Sequence, residues 1–241
     1  RFDNIIKDIK DGSIDKLLSK VINEKKDIII KENNILYQIT SSSNQNNNKD
    51  YQNISTIYLG ELEWRIKEKY NISQKETLII FKVEKNIKGI LIPLIEYEIF
   101  NPKTKEKLDI SDIENKNIII NIPVSINESI VYKYDINNDY YNNICNMSFI
   151  DEGIDISLYD RINDYENNNM SLCQNNCIFI DYNNKNAICE CEFQNGISLN
   201  ENKMLMNINN AKRLTNLEIL KCYKLVFSKE GLIKNIGSYK S

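Results

Sequence analysis

The sequence predicts an α+β protein: a helical hairpin at the N-terminus, packed on a mostly antiparallel sheet, then a small disulfide-rich β module. Three observations predict it. Apolar residues recur at helical spacing up to Ile22, short apolar runs bounded by Asn, Gly and Pro fill the middle, and all six cysteines fall after residue 144.

The elements follow in order. Phe2, Ile5, Ile6 and Ile9 share one helical face that stops at Gly12, a residue suited to the position past a helix end. Ser13 can cap a second helix whose stripe is Ile14, Leu17, Leu18, Val21 and Ile22. Asp27 to Lys31 and Ile35 to Thr40 read as strands around a Glu32-Asn33-Asn34 turn. The polar stretch from Ser41 to Asp50 is expected to be a mobile, solvent-facing loop. Ile54 to Leu59 reads as a strand broken by Gly60, and Glu61 to Tyr70 as a helix burying Leu62, Ile66 and Tyr70, with Trp64 partly buried at the edge of that face.

Thr77 to Val83 and Ile90 to Phe100 read as a strand pair. In the second, Ile95, Tyr97 and Ile99 alternate with Glu96 and Glu98, which predicts one buried and one wet face, and Pro93 points to an edge or bulge. Asn117 to Val124 is a further strand. The first domain is placed at residues 1–135 and a cysteine-rich module with its tail at residues 136–241. Within the latter, Ile178 to Tyr182 and Ala187 to Phe193 form a hairpin around Asn183 to Asn186.

Cys145, Cys173, Cys177, Cys189, Cys191 and Cys222 make an even set, which reads as up to three disulfides holding a hairpin too small to be stable alone. Four-sulfur zinc is the rival reading, against which stand the tight Cys189-Glu-Cys191 spacing and two cysteines left over. Five Asn-x-Ser sequons, at Asn53, Asn71, Asn127, Asn146 and Asn169, accompany the cysteines and point to a secretory route with N-linked glycans.

With 31 basic and 34 acidic residues and no basic stripe, nucleic acid is not an expected partner. Asn is about one residue in six, which marks an AT-rich genome rather than a function. Histidine is absent, which removes the commonest general base and imidazole ligand. Ser13-Ile14-Asp15-Lys16 matches S-x-x-K without its companion motifs, so it reads as a helix cap. Glu61 with Glu63, and Asp151 with Glu152, are the carboxylates a secreted glycosidase-like hydrolase would use, and they form no constellation. Asp135, Asp139, Asp151, Asp155 and Asp160 could offer oxygen ligands to calcium, but none fits an EF-hand loop. No catalytic residue, metal site or cofactor is assigned.

Several stretches together carry a resemblance: Ile39 to Ser42, Ile54 to Ile57, Leu78 to Lys82, Asn121 to Ser125, Asp155 to Leu158, Asp160-Arg161 and the 171–193 block. The chain resembles the membrane-proximal ectodomain of large cell-surface proteins from protists with AT-rich genomes. In such proteins cysteines stand near the positions of Leu62 and Ile113, where an apolar contact would replace a bridge. The cysteine order is similar to an EGF-like module, whose pairing would join Cys145 to Cys177, Cys173 to Cys189, and Cys191 to Cys222. The paired cysteines, the sequons and the missing histidine point to a noncatalytic structural, adhesive or receptor ectodomain, and edge strands also suit the subunit of an extracellular filament or coat. That reading implies protein partners or self-association, and the resemblance implies membrane contact only through an anchor that this chain, read as a processed or trimmed fragment, does not carry.

Overall fold

The structure, a computed structural model, describes residues 21–24, 26–46, 53–114, 116–143, 145 and 156–194. These divide into two compact units, one holding the residues up to Glu128 with the segment that starts at Leu172, the other holding Ser129–Ser171.

The first unit is built on two four-stranded antiparallel sheets. One has the order β1-β2-β4-β5, from β1 (Ile28–Glu32), β2 (Ile35–Ser41), β4 (Ile79–Lys85) and β5 (Leu94–Phe100). The other has the order β3-β6-β8-β7, from β3 (Thr56–Tyr58), β6 (Asn117–Pro123), β8 (Asn186–Glu192) and β7 (Cys177–Asn183). The strands predicted from period-two patterning are therefore present, each shifted by a few residues at its ends. Asn33, at φ 54°, makes the left-handed turn between β1 and β2, a conformation Asn tolerates better than most residues.

Strands β2, β4 and β5 of sheet one are buried on both faces. Tyr37, Ile39, Ile79, Phe81, Val83 and Phe100 form one core with Val21 and Ile22, and residues 21–23 are helical. Of the predicted helical hairpin, the rest lies outside the described residues. This layer overturns the expected wet face of β5, since Glu96 and Glu98 are 6% and 8% exposed. Glu98 is satisfied there by Lys107 Nζ at 2.6 Å, as a buried carboxylate must be.

The opposite face of sheet one meets sheet two, where Tyr97 stacks edge-on against Phe193 at 5.1 Å between centroids. Sheet two contributes Ile118, Ile120, Ile122, Ala187, Cys189 and Cys191, alternate residues of β6 and β8 and each at most 2% exposed. One end of this interior is polar. Asp27 accepts from Gln38 Nε2 (2.6 Å), Thr40 Oγ1 (2.8 Å) and Asn44 Nδ2 (2.6 Å). Gln45 donates to Thr40 Oγ1 at 3.1 Å and accepts from the Ile57 amide at 3.0 Å. Ser42–Asn46 is thus a short helix, α1, that plugs the end of the sandwich, with Ser42 and Gln45 buried. The expected solvent-facing loop is wrong for these residues, because polar side chains enter a core when their hydrogen bonds are met there.

Helix α2 (Glu61–Lys69) buries Leu62 and Ile66 and leaves Trp64 54% exposed, more open than a packing residue. It is tied to the 109–114 segment by Arg65 Nη1 to the Glu114 carbonyl (3.1 Å), the Lys69–Asp112 ion pair, and Tyr70 Oη, which donates to the Asp109 carbonyl at 2.6 Å. Leu62 and Ile113 are both buried.

The second unit contains all but the first residue of a 3-10 helix (Glu128–Tyr134) and helices α3 (Asp139–Asn142) and α4 (Leu158–Asn167). Ser157 caps α4 through a bond from the Asp160 amide, in the manner expected of Ser at that position. Its core is aromatic: Tyr140, Tyr141 and Tyr165 pack edge-to-face with Ile136, Ile162 and Met170 around them. Arg161, 3% exposed, lies over the Tyr140 ring at 5.1 Å and donates to the Tyr140 carbonyl at 2.8 Å.

The domain division at residue 135 does not match these units. The cysteine hairpin is the outer half of sheet two, paired through β8 with β6 over seven residues from Asn117 opposite Glu192 to Pro123 opposite Asn186. The backbone edge of β6 needs a partner strand, and the hairpin supplies one.

Candidate functional site

The β7–β8 hairpin is fixed at both ends. Its turn is the two residues Asn184 and Lys185, at φ 50° and 60°, the left-handed pair that a tight hairpin of matching twist needs. Lys185 lacks the freedom glycine has in that region, and tertiary contacts hold it: the Val124 amide donates to the Lys185 carbonyl at 2.9 Å. Tyr182 Oη accepts from the Ile126 amide at 3.2 Å and donates to the Val124 carbonyl at 2.9 Å. The chain leaving β6 is thereby stapled to the hairpin tip.

Two disulfides close the other end. Cys173 bonds Cys189, and Cys177 bonds Cys191, its direct partner across the β7–β8 ladder. The C-x-C spacing explains itself once β8 is a strand, since residues two apart share a face, and both sulfurs face the sandwich interior. Cys145 is also disulfide-bonded, and Cys222 lies outside the described residues. Of the pairing implied by the EGF-like resemblance, Cys173–Cys189 is found; Cys177–Cys191 excludes both Cys145–Cys177 and Cys191–Cys222. The bridges cross-link a strand pair and its entry loop. The zinc reading fails for these four cysteines, which are oxidised.

Between the disulfides, Gln174 acts as a clasp. Its amide accepts from the Ile95 N–H at 2.9 Å and donates to the Ile95 carbonyl at 3.0 Å. It continues the ladder beyond β5, which would otherwise be an open edge of sheet one. Beside the clasp is a cleft of about 200 Å3 with Tyr97, Ile120, Gln174 and Asn176 among its walls. The Tyr97 hydroxyl has no partner in good hydrogen-bonding geometry. Burial pushes its pKa well above the ordinary tyrosine value, partly offset by the approaching backbone of Gln194. The phenol stays neutral.

A second polar cluster has no signature in the sequence. Lys82 is fully buried on β4 and pairs with Glu84 Oε1 at 2.7 Å. The same ammonium donates to the Ser55 carbonyl, and Ser55 donates to Glu84 through its hydroxyl and, at 3.0 Å, its amide. Desolvation is the larger influence on Lys82 and lowers its pKa; Glu84 and Asp27 oppose it. Lys82 and Glu84 look like an ordinary solvated pair in sequence, being charged residues in an Ile-rich strand. Only the second sheet over them makes them interior.

The carboxylates considered for catalysis have structural partners: Glu61 pairs with Arg65 at 3.5 Å, and Glu63 with Lys67 and the Ser42 hydroxyl, both at 2.6 Å. Ser13, Lys16, Asp151, Glu152 and Asp155 lie outside the described residues. Asp135 accepts from the Asn137 amide and Asp160 from the Ser157 hydroxyl. Among the described residues no group of three His, Cys, Asp or Glu could hold a metal ion, and no helix is long and apolar enough to cross a membrane.

Asn53, Asn71 and Asn127 are exposed and Asn169 is half-buried; Asn146 lies outside the described residues. Asn71 and Asn169 take the left-handed conformation just past the ends of α2 and α4. No protein-family model matches the chain, and neither a curated protein nor a solved structure matches it.

Proposed function

We propose that this chain is a noncatalytic extracellular domain acting in adhesion, reception or a surface coat, with the two-sheet unit as its rigid body. The observation that carries the reading is the interlocked pair Cys173–Cys189 and Cys177–Cys191. Bridges of this kind persist in oxidising compartments and are rare where glutathione keeps thiols reduced. Four sequon asparagines, exposed or half-buried among the described residues, support the same route.

Glu61, Glu63 and the buried Lys82–Glu84 pair are matched to structural partners rather than gathered around a reacting atom, which supports binding or assembly over turnover. Surface apolar residues are available for partners: Ile178 and Ile180 on the edge strand β7 are 60% and 53% exposed, and Trp64 stands on the outer side of α2. The test is the intact mass of natively sourced, nonreduced protein before and after removal of N-linked glycans. The expected result is a mass six hydrogens below the fully reduced value, with sugar at the sequons. Free thiols and no sugar would overturn it.

A further inference from the structure

A cleft of about 510 Å3 lies at the tip of the hairpin, and Asn53 of the first sequon is in its wall. We propose that Asn53 carries an N-linked glycan whose innermost N-acetylglucosamine is seated in this cleft, as a fixed part of the fold. The proposal rests on the secretory reading above and goes further, because it selects one sequon and assigns the sugar a binding site.

Four observations converge. Asn53 is exposed and makes no hydrogen bond among the described residues, so its amide is available as an attachment point. The cleft falls in the size range of small-ligand sites, about 300–1,000 Å3. Its walls suit an amino sugar: Pro123 offers apolar surface to a pyranose face, while Ser125, Asn184 and Asn186 bring hydroxyl and amide groups. The walls are also held in place, by the Val124–Lys185 backbone bond and by Asn186 Nδ2 on the Asn184 carbonyl at 2.9 Å. A preformed wall loses little entropy when a tethered ring settles against it.

The order of events follows from Ser55. This residue completes the Asn53 sequon, yet it is fully buried and donates its hydroxyl to Glu84. The sequon is unreadable in the folded sandwich, so the sugar must be attached before the sheets close. The buried Ser55–Glu84–Lys82 cluster then anchors the segment at whose surface end Asn53 stands.

The experiment uses the full chain secreted from a eukaryotic host, alongside Asn53→Gln and a variant with the other four sequon asparagines changed to Gln. Ser55→Ala is avoided because it would also break the buried cluster. Peptide mapping gives occupancy, and native treatment with a glycan-releasing amidase gives release rates. Expected are sugar at Asn53, release at least tenfold slower than at Asn71, and slower hydrogen exchange across 184–186 when the sugar is present. Asn53→Gln should lower Tm by about 2–4 °C. Asn53 bare while another sequon is occupied, or release at the Asn71 rate with unchanged exchange, overturns the proposal and leaves the secretory reading standing. No sugar at any sequon together with free thiols overturns both.

Discussion

The interlocking of the two disulfides makes a prediction that neither bridge makes alone. Cys173–Cys189 and Cys177–Cys191 span 16 and 14 residues. Closing a loop of about 15 residues removes unfolded-state entropy worth about 3 kcal/mol. When one bridge is already present, the other closes a much shorter circuit: four residues from 173 to 177 and two from 189 to 191. A six-residue closure is worth about 2 kcal/mol on the same relation. Removing either pair by Cys→Ala substitution should therefore cost about 2 kcal/mol, and removing both about 5 kcal/mol. The loss from all four substitutions exceeds the sum of the two pairs by about 1 kcal/mol, the coupling expected of constraints that share a circuit. Cavities left by the buried sulfurs add to each pair separately and cancel in that difference. The assay is equilibrium urea unfolding under nonreducing conditions, with the slope of each variant fitted freely because the unfolded chain expands as bridges are lost. A quadruple variant no less stable than the sum of the pairs would refute the argument that the bridges act on one loop.

Other perturbations test the interior. Lys82→Met leaves Glu84 buried without its cation and should cost about 3–5 kcal/mol, whereas Lys82→Met with Glu84→Leu should recover much of that loss, since a buried pair is worth less than breaking it costs; urea midpoints decide. Gln174→Ala strips both backbone partners from Ile95 and should cost about 2–3 kcal/mol, with hydrogen exchange at the Ile95 amide accelerating ahead of the rest of β5. Tyr97→Phe removes a hydroxyl with no good partner and should be neutral or stabilising by up to about 1 kcal/mol; a loss above that would show the hydroxyl is engaged through water in the cleft. Burial raises the pKa of Tyr97, Tyr141 and Tyr165. The unfolded phenols release their protons first, near pH 10, so this stability is present below pH 10 and drains as pH rises above it. Lys82, lowered from 10.5, acts oppositely, its burden lifting as pH rises from its folded value towards 10.5. With three groups against one, unfolding free energy should fall between pH 10 and 11, and the fall should be shallower in Tyr97→Phe.

Much of the fold was readable because strands and helices announce themselves by period. Ile35 to Thr40, Leu78 to Val83 and Ile178 to Phe193 carry alternation or apolar runs that survive any tertiary context, and Gly60 and Asn33 mark breaks for steric reasons local to those residues. The cysteines were readable as bridges but not as pairs, because connectivity depends on which strand faces which. The EGF-like order misled there: β8 places Cys189 and Cys191 on one face, and β7 and its entry loop bring Cys177 and Cys173 to them.

By itself, then, the sequence determined the α+β class and the hairpin and favoured bridges between the cysteines, since each follows from short-range pattern or composition. Only the tertiary structure decided what each polar residue does. Ser42, Gln45, Ser55, Lys82, Glu84 and Gln174 are ordinary surface types in a sequence, and they became interior when two sheets and a plug closed over them. Burial is a property of what lies opposite, and that partner comes from residues dozens of positions away: Ser55 for Lys82, Gln174 for Ile95, and Asn184 and Asn186 for the cleft beside Asn53.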